Sequence, residues 1–182
     1  MGLDMEIRRI TKPELDSTKL YDISDLNCIV LNEDDCQKEM YAQLVPYCQK
    51  IRVMKHYYDY DAIRADYNLP GDARLYAYIG GVAVFGNGKQ EVEMPTSLLD
   101  EKYTIDKQEI CYVCNCEDVV YWRKAYDIQD WFHEHLTAYV ENTGFYILSI
   151  DTIKEFNRKF PEDKIPHEAP DDEQALFYWE WY

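Results

Sequence analysis

The chain has 182 residues, 47% of them hydrophobic, which suffices for one domain with a sizeable core and argues against disorder. Lys and Arg number 19 against 35 Asp and Glu, and the net charge of −16 gives a field that repels nucleic acid and anionic membrane and attracts basic partners. No apolar run reaches the roughly 18 residues of a membrane helix, and "MGLDMEIRRI" has neither a signal-peptide core nor, with Glu6 where Ser or Thr is needed, a myristoylation motif. The expectation is a cytoplasmic protein whose six cysteines are reduced thiols.

In chain order, Leu3, Met5 and Ile7 alternate with charged residues and predict a half-buried strand over 3–10. Loop follows to about residue 25, and "NCIVLN" (27–32) predicts a short buried strand. The acidic start of "EDDCQKEMYAQL" and the spacing of Met40, Tyr41, Leu44, Cys48, Ile51 and Met54 predict a helix kinked or restarted at Pro46. "YNLPGDA" (67–73) is a turn, and Asn87-Gly88 between Val82–Phe85 and Lys89–Glu93 predicts a hairpin. Residues 103–115 predict a strand or a pair of strands.

Within "EDVVYWRKAYDIQDWF" (117–132), Tyr121, Ala125, Ile128, Phe132, Leu136 and Tyr139 fall at three- and four-residue steps. Trp122, Tyr126 and Trp131 widen the stripe, which predicts an amphipathic helix from about 118 to 141 packed on a sheet and capped at Gly144. Residues 145–150 predict a strand, and Asp151 is the expected N-cap of a following helix. The fold class is therefore α+β, one domain over 1–182 with a mainly antiparallel sheet and helices packed on it. Its last segment, 161–182, is acidic and Pro-rich and ends in aromatics.

No catalytic signature stands out. Cys111, Cys114 and Cys116 form a C-x-x-C-x-C run that could supply zinc thiolates, with His133, His135 or a distant cysteine as a fourth ligand. On a strand, however, Cys114 and Cys116 share one face and Cys111 the other, which fits structural or solvent-side thiols better than a metal site. His133 and His135, two apart on a helix, diverge by about 200°. The glycines of "GGVAVFGNGK" miss the spacing of a phosphate loop. No cofactor is called for.

Two stretches interleave rings with carboxylates, as docking into a basic groove requires. The first holds Tyr57, Tyr58, Asp59, Tyr60 and Asp61. The second holds Asp171, Asp172, Glu173, Trp179 and Trp181. The alternative for the tail is that its rings are docked on the parent domain and its acids merely solvated.

"MGLDM" at 1–5, Tyr121-Trp122-Arg123-Lys124-Ala125 with Ile128 and Trp131-Phe132, "GFYILS" at 144–149 and "FYWEWY" at 177–182 together resemble a family of small phage and prophage proteins. The likeness covers about a quarter of the chain and implies a phage-borne accessory protein acting in the host cytoplasm, with no catalytic residues to carry over. The functional expectation is a non-enzymatic, acidic inhibitor that binds a basic host protein, such as a nucleic-acid-targeting defence enzyme, in the manner of an anti-CRISPR. The alternative is a metal-dependent enzyme or zinc-stabilised protein using Cys111, Cys114 and Cys116.

Overall fold

A computed structural model describes residues 3–136 and 143–181. The chain is α+β, with mainly antiparallel sheets and helices packed on them. It divides into two compact units, one of Met1–Val53 with Ile110–Tyr182 and the other of Met54–Glu109. Among the described residues no helix is long and apolar enough to cross a membrane.

The larger unit is built on β1 (Asp4–Thr11), β2 (Leu20–Asp22), β3 (Ile29–Leu31), β4 (Gln49–Tyr58), β8 (Thr104–Arg123), β9 (Phe145–Ile147) and β10 (Gln174–Trp181), β4 and β8 having residues in both units. The sheet runs β2-β4-β8-β1-β10-β9, with β3 also on β8. Alternation along β10 sends Leu176 and Tyr178 into one core cluster, with Trp122, and Ala175 and Phe177 into a second, with Cys114. On β8 the register against β1 slips between Ile7 and Arg8, which pair with Val120 and Asp118. The extra residue, Val119, is a bulge that reverses parity: Cys114 and Cys116 face the second cluster, while Trp122, also even-numbered, faces the first.

Helices α3 (Tyr126–His135) and α4 (Ile150–Lys159) cover the first cluster through Ile128, Trp131, Phe132, Ile153 and Phe156. Phe132 stacks on Tyr178 at 4.1 Å and on Phe156 at 5.1 Å. Burying each such ring contributes several kcal/mol, roughly 3–5 by truncation.

The structure corrects several expectations. The segment 118–123 is not helix but the end of β8, which β1 holds in register as far as Asp4 opposite Arg123. Lys124 takes a left-handed φ of 58°, donates its N–H to Leu3 O (2.9 Å), and only then does α3 begin. The periodicity misled because β-aromatic alternation and a three-to-four-residue spacing coincide over Tyr121–Ala125. The far end of that expected helix and its cap fall partly on 137–142, outside the described residues; the residue with positive φ here is Thr143 (69°), not Gly144.

Likewise 33–48 forms three short 3-10 turns, Asp35–Gln37, Glu39–Tyr41 and Val45–Tyr47, and the expected helix gives way to β4 at Gln49. Buried Ile51 and Val53, β-branched and alternating, fit a strand better than a helix. Ser149, not Asp151, caps α4: its Oγ accepts from Thr152 N at 3.0 Å. The strand expected over 145–150 ends at Ile147.

The smaller unit contains α1 (Tyr60–Asp66), β5 (Arg74–Ile79), β6 (Val82–Gly86), β7 (Glu91–Pro95) and α2 (Thr96–Tyr103). Its three-stranded sheet, β5-β6-β7, packs Ala83, Phe85 and Met94 against Ile63 of α1 and Leu99 of α2. The predicted hairpin is present with a four-residue connection. Gly88 takes φ 81°, and the Asn87 side chain accepts from Lys89 N and Gln90 N, both at 3.1 Å.

Candidate functional site

In the smaller unit the end of β4 pairs with the start of β8, and Asp59 N donates to Tyr103 O at 2.7 Å. Alternation gives this ribbon two faces. On one lie Lys55, Tyr57, Lys107 and Glu109. Lys55 pairs with Glu109 (3.0 Å), the Tyr57 hydroxyl donates to Glu109 (2.7 Å), and Lys107 Nζ sits 5.5 Å from the Tyr57 ring centre. Lys55 and the Tyr57 hydroxyl hold the Glu109 carboxyl below its usual range, the hydroxyl most strongly.

On the other face His56, Tyr58 and Thr104 line a cleft of about 380 Å³, closed on one side by Asp100 of α2. His56 Nδ1 lies 2.7 Å from Asp106 Oδ1, and the Tyr58 hydroxyl donates to Asp100 Oδ1 at 2.8 Å. A hydrogen bond with Tyr78, then burial, then the bond to Asp100 push the Tyr58 phenol well above its ordinary pKa, so it stays a neutral donor. The cleft therefore combines an aromatic wall, hydroxyls, an imidazole and the Asp100 carboxylate.

Of the first predicted stretch, only Tyr58 enters this cleft. Tyr57 is on the opposite face. Asp59 caps α1 by accepting from Ala62 N (3.0 Å), Tyr60 packs on Phe85 with ring centres 5.2 Å apart, and Asp61 pairs with Arg64 (2.6 Å). His56, Asp100 and Thr104 are not singled out in the sequence. They lie some 40–50 positions from their partners, and only the two-residue steps 56/58 and 104/106 hint that each pair shares a face.

Of the second stretch, Asp171, Asp172 and Glu173 are all exposed, and the Asp171 carboxylate accepts from Glu173 N and Gln174 N, both at 2.8 Å. Trp179 is half-buried beneath the Arg8 guanidinium, 4.0 Å from its ring centre, and Trp181 is 53% exposed. Between them Glu180 is fully buried, its carboxylate accepting from Tyr178 Oη (2.7 Å) and Gln129 Nε2 (3.1 Å) and lying 3.0 Å from His133 Nε2. The tail is thus a strand of the sheet, between β1 and β9, rather than a free strip.

The clustered cysteines divide as their strand spacing predicts. Cys111 packs with Ile51, Val53 and Val113, whereas Cys114 and Cys116 belong to the cluster around Phe177 and Cys48. The neighbouring Cys48 thiol first and burial second raise the Cys114 thiol, and burial raises that of Cys116. Among the described residues no three His, Cys, Asp or Glu side chains are placed to hold a metal ion. His135 stacks on Trp131 at 4.0 Å, beside a second cleft with Arg158 and Lys159. This cleft, which Glu155 also lines, lies at the C-terminal ends of α3 and α4, where both helix dipoles disfavour an anion and favour these cations.

Several of the cations are paired with acids of the chain. Arg8 contacts Glu6 and Asp118, Arg9 contacts Glu117 and Glu168, and Lys38, Lys102 and Arg123 each lie against an acid. The Arg9 guanidinium holds the Glu168 carboxyl below its ordinary range. The carboxylate surplus is left at solvent, at Glu33, Asp34, Glu39, Glu101, Asp172 and Glu173 among others. No family model, no curated protein and no solved structure matches this chain.

Proposed function

We propose that this protein acts by binding a basic protein partner, and that its partner is a nucleic-acid-handling enzyme of the host cell whose positively charged channel the acidic surface occupies, as an anti-CRISPR-like inhibitor. The observation that carries this reading is the charge and where it lies: a net −16, with Glu33, Asp34, Glu101, Asp172 and Glu173 at solvent, while Arg8, Arg9 and Lys102 are already held by the chain's own acids. Such a surface is complementary to a site built for phosphates and speeds encounter with it. The likeness of the Tyr121–Phe132 segment to phage proteins supports a host enzyme as the target. A zinc-based activity has no comparable support, since Cys111 is buried in a different cluster from Cys114 and Cys116.

The test is affinity capture from host lysate by the tagged chain, with nuclease added to remove bridging nucleic acid. One dominant basic protein, retained at low salt and released at about 1 M salt, where the screening length is about 3 Å, is the expected result. Absence of any specific partner at low salt overturns the reading.

A further inference from the structure

We propose that the cleft formed by His56, Tyr58, Asp100 and Thr104 is a receptor pocket for an arginine side chain of the partner. The inference rests on the binding function proposed above and deepens it by naming the group recognised.

Charge selects the occupant. The Asp100 carboxylate lines the cleft, Asp106 stands beside it against the His56 imidazole, and among the described residues no Lys or Arg lines it. Lys55 and Lys107 occupy the other face of the ribbon, and Lys102, nearest in sequence to Asp100, is drawn to Asp66 at 2.6 Å. Asp100 gives one lone pair to Tyr58, and a carboxylate has about four acceptor positions, so it retains capacity for a second donor. A volume near 380 Å³ accepts a single long side chain.

Shape selects guanidinium over ammonium. The lining offers a carboxylate at Asp100, a hydroxyl at Thr104 and an aromatic ring at Tyr58, and a guanidinium has both a planar fork of N–H donors for oxygen acceptors and a flat face that stacks on a ring. An ammonium is a compact point charge and satisfies only part of this set.

The probe is N-acetyl-arginine amide, titrated into the full chain and followed by NMR, with the neutral isostere N-acetyl-citrulline amide and with N-acetyl-lysine amide as comparators. Saturable shifts at Tyr58, Asp100 and Thr104 are expected with arginine, at least tenfold weaker with the other two. Asp100→Asn should weaken arginine binding at least tenfold, whereas Asp61→Asn, whose carboxylate faces Arg64, should leave it unchanged. Equal binding of citrulline, equal binding of lysine, or no effect of Asp100→Asn would overturn the assignment. Capture of a basic partner by a chain that ignores arginine amide removes the pocket and keeps the function; arginine binding without any captured partner does the reverse.

Discussion

At Glu180 a carboxylate is held entirely out of water beside Tyr178, Gln129 and His133. Glu180→Gln keeps the volume but turns an amide N–H₂ toward donors, and should cost about 1–3 kcal/mol in urea unfolding. Adding Tyr178→Phe to that variant should cost less than Tyr178→Phe alone, because the neutral amide is a weaker acceptor for the phenol than the carboxylate. Burial first, and the bond to Glu180 second, raise the Tyr178 pKa above its unfolded value. The folded state thus keeps a proton that the unfolded chain releases near pH 10, so this contribution is complete below about pH 10 and is lost as pH rises. Tyr178→Phe should flatten the alkaline limb of a stability-against-pH curve. At the acid end the sign reverses. Glu168, depressed by Arg9, contributes above its unfolded pKa of about 4.3 and loses that contribution as pH falls, which Glu168→Gln should abolish.

Elements were legible where local chemistry had no rival. The alternation of Leu3, Met5 and Ile7 and the Asn87-Gly88 turn read correctly, and the strand expected over 145–150 is present but ends at Ile147, since each is fixed by neighbours a few residues away. Residues 118–123 read wrongly because Tyr121–Ala125 satisfy both periodicities, and pairing with β1, more than a hundred residues distant, decides for strand. Two predictions belong at this scale. Ser149→Ala should cost about 1 kcal/mol in thermal or chemical unfolding, whereas Asp151→Ala, an exposed first-turn acid, should cost no more than a few tenths. Trp122→Ala should cost about 3–5 kcal/mol, since the indole fills the cluster beneath α3 and α4 and donates to Asp163 at 3.0 Å.

For the molecule as a whole, the charge of −16 should oppose compaction. Raising ionic strength from about 0.01 M to 0.15 M shortens the screening length from about 30 Å to 8 Å. The melting temperature should therefore rise by a few degrees, as scanning calorimetry can read. A fall would show that the local ion pairs of Arg8, Arg9 and Lys102 outweigh the repulsion among the surplus acids. EDTA should leave the melting temperature unchanged, because the thiols of Cys111 and Cys114 serve separate apolar clusters.

By itself the sequence determined the α+β class, the acidic surface and the hairpin, because composition, alternation and turn chemistry act over short range. It also separated Cys111 from Cys114 and Cys116, which needs only the two-residue period of a strand. Tertiary structure alone decided that 118–123 and 49–54 are strand, that a bulge at Val119 turns Trp122 toward the helices, and that the aromatic tail is an internal strand. It also assembled the cleft from positions 56, 58, 100 and 104. In each case the deciding interaction is a ladder hydrogen bond or side-chain contact between distant positions, and no local pattern encodes which distant segment will supply it.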